Sequence, residues 1–437
     1  MARKMKDSGI EWIGEIPEGW EITRLKYLAD FEPTCDTSYL TDESKITYTP
    51  MECVKNGGFE NRSALYGNLS HTLTPFQNGD IAMAKVTPCF ENGNIAIMDN
   101  LFSGFGLGSS ELFIFRPKSI STRYFFYWLQ NKAFVARACS TMTGTGGLKR
   151  ISPSFIRNCP VHCPSTDEQT KISDYLDAKC SKIGDLLTSV HASIEEYKKL
   201  KQAVITQAVT KGVRGEREMK PTDFTRWSEI PFDWDLKRVK SCIASISSGL
   251  SAVTDDANSE ESGKFVLRTS AVSSGFFVPT EVKPVLKSAV NRLICPVEPD
   301  TLIVSRMNTA SMVGACAYVA NNHPNTFLPD KLWKIKFLPS YHTKYMWYAL
   351  NSVPAKSWFS ELATGASSSM QNISINDFTS NYLPIPAFSE QKEIANYLDA
   401  KCAEIDGLVA KKEQLVKELE SYKKSLIYEV VTGKREV

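Results

Sequence analysis

A long internal repeat constrains this chain more than any other feature. Residues 168–183 read Glu-Gln-Thr-Lys-Ile-Ser-Asp-Tyr-Leu-Asp-Ala-Lys-Cys-Ser-Lys-Ile. Residues 390–405 read Glu-Gln-Lys-Glu-Ile-Ala-Asn-Tyr-Leu-Asp-Ala-Lys-Cys-Ala-Glu-Ile, an offset of 222 residues. The same offset carries Thr210 onto Thr432 without a gap. A second repeat lies upstream of each copy. Trp12-Ile-Gly-Glu-Ile-Pro-Glu-Gly-Trp20 with Arg24 and Lys26 resembles Trp227-Ser-Glu-Ile-Pro-Phe-Asp-Trp234 with Arg238 and Lys240. The order is globule, helix, globule, helix. A period this long is domain duplication, because solenoid repeats run about 20–50 residues.

The repeated segments have helical periodicity. In the first copy apolar residues recur at Ile172, Tyr175, Leu176, Ile183, Leu186, Leu187, Val190, Ile194, Tyr197, Val204 and Val209. In the second they recur at Ile394, Tyr397, Leu398, Ile405, Leu408, Leu415 and Leu419. Spacings of three and four place them on one face of a helix. Ser165 and Glu168 form an S-x-x-E capping box, and Gly212 and Gly433 mark the stops. Gly184 and Gly407 are expected weak points that divide each run in two. A lone helix exposing such a stripe is unstable, so the two stripes are expected to pack on each other, antiparallel. The alternative is that each packs only on its own globule.

The expected fold class is α+β: two α/β domains separated by two long helices packed as an antiparallel coiled coil, with pseudo-two-fold internal duplication. The expected boundaries are 1–160 for the first globule, 165–212 for the first helical segment, 222–386 for the second globule and 389–433 for the second helical segment. Dense turn signals divide the globules into short strands, at 80–86, 95–98, 112–115, 301–305, 315–319 and 332–337. Helices are expected at 124–138 and 341–352.

Most enzyme signatures fail. Phe102-Ser-Gly-Phe-Gly-Leu-Gly108 matches a bare F-x-G-x-G but lacks the acidic residue of a methyl-donor site, and reads as a turn between strands. Thr143-Gly-Thr-Gly-Gly-Leu-Lys149 does not have phosphate-loop spacing. Cys159, His162 and Cys163 lack a second ligand pair, so a zinc site is not expected. No catalytic residue, metal ligand or cofactor is assigned to this chain. The 11 cysteines are scattered, and none forms a C-x-x-C pair. With no signal-peptide pattern and no apolar stretch near 18 residues, a reduced, cytoplasmic protein with no membrane segment is expected.

Charge is unevenly placed although the net charge is only +2. Residues 1–100 sum to −6, residues 101–157 to +7 with Glu111 as the one anion, and residues 331–360 to +5. Two locally basic, aromatic-rich globules without an active site fit phosphate contacts combined with base readout. Candidate contacts are Lys85 and its turn to Glu91, with Arg306 and Asn308 at the matching strand end. Lys149 and Arg150 with their Gly-rich loop pair with Ser369, Gln371 and Asn372 of the second repeat. Arg and Lys suit guanine; Gln and Asn suit adenine.

From Pro384-Ile-Pro-Ala-Phe-Ser-Glu-Gln onwards the chain resembles the specificity subunits of type I restriction-modification enzymes. The resemblance extends to both Trp-containing domain openings and both Glu-Gln helices. It implies a non-catalytic subunit that binds double-stranded DNA. Each globule would read one half of a bipartite target, and the helices would set the spacer and dock two methyltransferase subunits. Restriction subunits that translocate DNA would complete the complex. Methyl donor, ATP and magnesium would belong to those partners. A contrasting expectation from the repeat alone is a coiled-coil scaffold presenting two globules that bind no DNA.

Overall fold

The computed structural model describes residues 3–70, 72–145, 147–251, 261–367 and 370–437. The chain forms two compact units. The first takes the chain up to His191 together with Glu413–Val437, and the second is Ala192–Lys412. The two long helices, Thr166–Lys211 and Phe388–Val431, are each divided between the units.

Both units have the same sheet plan. In the first, one antiparallel sheet has the order Ile95–Met98, Asp80–Ala84, Leu112–Pro117, Ala29–Phe31. A second sheet has the order Arg62–Leu65, Lys45–Thr49, Phe105–Gly108, Thr74–Gln77, with a parallel central pair. The second unit repeats the first plan with Cys316–Val319, Thr301–Ser305, Leu332–Phe337 and Ile243–Ser248. Its other sheet runs Val282–Leu286, Glu261–Leu267, His323–Phe327, Pro296–Val297, again with a parallel central pair. All six expected strands are present, within a few residues at their ends. The central strands Asp80–Ala84 and Thr301–Ser305 are buried at every position, as unbroken apolar-rich runs require.

The F-x-G-x-G segment is a short turn at Phe102–Gly104 followed by the strand Phe105–Gly108. A Cβ on Gly106 would lie 2.3 Å from the Phe76 ring. This glycine serves sheet packing. The helix expected at 124–138 is two helices, Thr122–Trp128 and Lys132–Ser140. Asn131 divides them. Its side chain accepts from Phe134 N at 2.9 Å and donates to the Trp128 carbonyl at 2.6 Å, capping one helix and closing the other.

In the first unit Ile172, Leu176, Cys180 and Ile183 share a core with Leu426, Ile427, Val430 and Val431. In the second, Ile205, Ala208 and Val209 share a core with Ile394, Leu398 and Cys402. There Lys201 pairs with Asp406 at 2.6 Å, and Arg214, past the helix end, pairs with Glu393 at 2.8 Å. Advancing along one helix moves backwards along the other, so the pairing is antiparallel. The part of each helix within a unit also packs on that unit's globule, so the helices pack on each other and on the globules, and not on their own globule alone.

The seam differs from the expected stripe at three positions. Leu186, Tyr397 and Leu415 are 54%, 40% and 41% exposed and do not join the core. Each precedes by one residue the side chain that does turn inward: Leu187, Leu398 and Val416. Adjacent helical residues point about 100° apart, so only one of an apolar pair can face a narrow seam. Ile172, Leu176, Ile183, Ile394, Leu398 and Ile405 are buried, while Tyr175, Val190, Tyr197, Leu408 and Leu419 are half-buried. Both helices run unbroken through Gly184 and Gly407. A cost of about 1 kcal/mol per glycine does not interrupt a helix held by tertiary packing.

The start of each long helix is locked in the same way. Glu168 accepts from the Trp20 indole N–H at 2.9 Å and pairs with Arg3 at 2.5 Å, and Arg3 lies over the Trp20 ring. Glu390 accepts from the Trp234 indole N–H at 3.2 Å and pairs with Arg217 at 2.5 Å, and Arg217 lies over Trp234. Only half of the expected capping box forms: Ser165 Oγ accepts from Glu168 N at 3.4 Å, while the Glu168 carboxylate turns to the tryptophan. The next residue fixes the globule. Gln169 Oε1 accepts from Ser121 N at 2.7 Å, and Gln391 Oε1 from His342 N at 2.8 Å. Two turns on, Asp177 accepts from Tyr127 OH at 2.7 Å and Asp399 from Tyr348 OH at 2.9 Å. Gly212 and Gly433, at positive φ, follow the two helix ends. A Cβ on Gly433 would meet Pro17 at 2.3 Å, and one on Gly212 would meet Arg217 at 2.9 Å.

His162 is also spent on the fold. It is buried, stacks on Trp20, and its Nε2 lies 2.7 Å from the Val431 carbonyl. That partner assigns the proton to Nε2. Burial pushes its pKa down to about 4. Unfolded histidine protonates near pH 6.5, so stability is full above that value and falls as the pH drops towards 4. We expect a loss on the order of 3 kcal/mol across that window. Denaturant melts of wild type and His162→Phe at pH 7.5 and 4.5 check this, because the variant should lose the histidine-linked slope. Glu390 is 1% exposed. Removing it leaves the buried Trp234 N–H without its acceptor and Arg217 with Asp233 as its one remaining carboxylate, at 2.8 Å. Glu390→Ala should cost about 3 kcal/mol and Glu168→Ala, at a more exposed pair, about 1 kcal/mol, by the same melts.

Candidate nucleic-acid interface

Lys85 follows directly on the buried strand Asp80–Ala84, and the turn after it is pinned by buried Val86 and Phe90. Residues 143–145 and 147–150 fold onto this turn. Thr87 N donates to the Lys149 carbonyl at 3.0 Å, Ile151 N to the Lys85 carbonyl at 3.0 Å, and Thr87 Oγ1 to the Gly147 carbonyl at 2.8 Å. Lys85, Lys149 and Arg150 therefore come together on one rim, from segments about 60 residues apart in sequence. Lys149 and Arg150 are exposed, and Lys85 is half-buried with its ammonium 5.2 Å from the Phe113 ring centre.

The second unit builds the same rim. Arg306 follows the buried strand Thr301–Ser305, and Ile373 N donates to the Arg306 carbonyl at 3.0 Å. Met307–Asn308 pairs antiparallel with Met370–Asn372, setting Asn308 opposite Gln371 and Met307 opposite Asn372. Arg306, Asn308, Gln371 and Asn372 thus also converge; Ser369 lies outside the described residues. Arg306 and Asn372 sit where the first unit has Lys85 and Arg150. The backbone frame is shared and the side chains are not.

Some of these side chains are already engaged. Arg150 makes two hydrogen bonds to Glu111, at 2.9 and 2.6 Å, and this guanidinium holds the Glu111 carboxyl below the usual carboxylate range. Asn308 donates to Ser273 Oγ at 2.8 Å and accepts from Thr309 N at 2.9 Å, so it braces the rim. Arg306 Nε lies 3.5 Å from Asn372 Oδ1. Thr87, inside the candidate turn, joins the two loops through its backbone N–H and its hydroxyl.

The local charge sums also change meaning. Of the cations between 101 and 157, Arg116 pairs with Asp80, Lys118 with Asp30, Arg123 with Asp174 and Asp177, Arg150 with Glu111, and Arg157 with Glu32. In the second unit Lys334 and Lys336 share Glu298, and Lys344 pairs with Asp399. The basic windows are largely neutralised by acids of the same unit, all but Glu111 from outside the windows. The positive charge left on the first rim comes from Lys85 and Lys149. Cys159 and His162 are buried packing positions, and among the described residues no group of three or more His, Cys, Asp or Glu is placed to hold a metal ion.

The chain has relatives among known proteins. The family described as the type I restriction modification DNA specificity domain matches residues 17–196. The chain is similar to the type I restriction enzyme EcoEI specificity subunit of Escherichia coli, 25% identical over 464 residues, covering 88% of this chain and 78% of that protein. The EcoAI specificity subunit of Escherichia coli is 37% identical over 163 residues, covering 36% of this chain and 27% of that protein. A solved chain from work on complex assembly and conformational transition of the type I R-M system has the same fold. Its TM-score is 0.70 at 16% identity, covering 96% of this chain and 99% of that one. Residues 17–196 thus match the type I restriction modification DNA specificity domain, and along most of its length the chain is similar to a type I specificity subunit.

Proposed function

We propose that this chain is the non-catalytic DNA-reading subunit of a type I restriction-modification complex, each unit reading one half of a bipartite target. The observation that carries this reading is the rim built twice on one backbone frame with different side chains. Lys85, Lys149 and Arg150 in the first unit suit guanine and phosphate; Gln371 and Asn372 beside Arg306 in the second suit adenine as well. Two such rims read different half-sites.

In this reading the long helices set the length of the unread spacer and dock two modification subunits, and restriction subunits join the assembly. Methyl donor, ATP and magnesium belong to those partners. The setting is the cytoplasm. That goes with the free state of all eleven cysteines and with the finding that no described helix is long and apolar enough to cross a membrane. The scaffold alternative gains no support from the rims or the kinship.

Methylome sequencing of strains with and without this chain tests the function. Loss of one split methyl-adenine motif is expected; an unchanged methylome would sink the reading. The Glu111–Arg150 pair offers a second test. Glu111→Gln releases the guanidinium for phosphate, so DNA binding should tighten and the slope of log K against log salt should steepen by about 1. Fluorescence anisotropy across a salt series measures this. A scaffold that binds no DNA would show no slope.

A further inference from the structure

The two units differ at the turn that lies beside the long helices. In the second unit the turn Ser274–Gly275–Phe276 lies against the helix pair. The Trp347 indole N–H donates to the Gly275 carbonyl at 2.8 Å, and Phe276 packs edge-on against Trp347. Lys201 reaches under this turn from the first long helix. Its ammonium is 4.5 Å from the Phe276 ring centre and 2.6 Å from Asp406, and the residue is only 9% exposed. An aromatic ring and a carboxylate together cover one lysine.

The repeat offset places Lys423 of the first unit where Lys201 stands and Gly184 where Asp406 stands. The carboxylate is therefore missing. The ring is missing too: the corresponding turn is Asn56–Gly57–Gly58, and the nearby Phe59 packs into the sheet core instead. What remains is a cleft of about 730 Å³. Its walls include Phe90, Ile95, Leu129, Leu187 and Ile427, with Lys423 and Lys424 at its edge. Glu91 and Glu420 also line it, and Lys132 is turned to the Tyr428 ring. Among the described residues Lys423 and Lys424 form no ion pair. A Cβ on Gly184 would meet nothing within 4 Å, so no described residue fills the gap above it.

We propose that this cleft receives a segment of a partner protein presenting an aromatic side chain beside a carboxylate. The ring would take the place that Phe276 fills in the second unit, and the carboxylate the place of Asp406. Cation–ring attraction and a half-buried ion pair would act on the same ammonium. The site is one-sided: the second unit supplies its own ring and acid, so only the first is open. The proposal does not depend on which DNA is read.

3-Phenylpropionate carries both groups and serves as the probe. Saturation-transfer NMR on the full chain should show ring-proton contact with a millimolar Kd. 3-Phenylpropanol, lacking the acid, and cyclohexanepropionate, lacking the aromatic ring, should bind at least five-fold more weakly. Lys423→Met should weaken binding at least five-fold. Gly184→Asp should do the same by supplying the internal acid, and Asp is tolerated in a helix at least as well as Gly. Absence of saturation transfer, or binding unchanged in both variants, overturns the proposal. Displacement of the probe by duplex DNA of any sequence, with no preference for the aromatic ring, assigns the lysines to phosphate and overturns it equally.

Discussion

The carboxylate at the start of each long helix ties together three parts of a unit that are far apart in sequence. Glu168 and Glu390 each join a helix N-terminus to a tryptophan of the domain opening and to an arginine upstream of it. A negative group at that end also meets the positive pole of the helix dipole. Because the residue beside it, Gln169 or Gln391, grips the globule, a single two-residue step sets the helix direction relative to the sheets. The antiparallel seam, the aspartate–tyrosine bonds and the glycine stops are all consistent with that one step.

Much of this was legible from the repeat. Identical residues recurring at one offset marked the helices, and period and turn chemistry placed the strands. Gly212 and Gly433, legible as stops, adopt positive φ just past the two helix ends. Other features were not legible, for identifiable reasons. Leu186, Tyr397 and Leu415 look like seam residues because apolar neighbours stand beside them, and sequence cannot say which of two adjacent side chains turns inward. The break at Asn131 depends on a cap inside an apolar run. The basic windows looked like DNA surfaces because the acids that neutralise Arg116, Arg123 and Lys344 lie in other segments. The candidate rim residues were chosen one by one. Their convergence depends on strand pairing such as Asn308 with Gln371, which local pattern does not reveal.

The rims and the helix seats divide each globule chemically. At the seat the same groups recur in both units: indole to glutamate, backbone N–H to glutamine, phenol to aspartate. At the rim the backbone hydrogen bonds recur while the side chains change, from lysine and arginine to glutamine and asparagine. A position that holds the frame can tolerate little change, whereas a position that reads a ligand can be replaced without disturbing the frame.

The Tyr127–Asp177 and Tyr348–Asp399 bonds bear on the history of such a chain. Both globules present one socket pattern to the helices, so a globule inherited from another lineage meets a matching seat if it keeps the phenol and the indole. Recombination within the near-identical helix segments would then deliver a folded hybrid in a single event. A new specificity would arise by exchange of whole readers, faster than point mutation could assemble it.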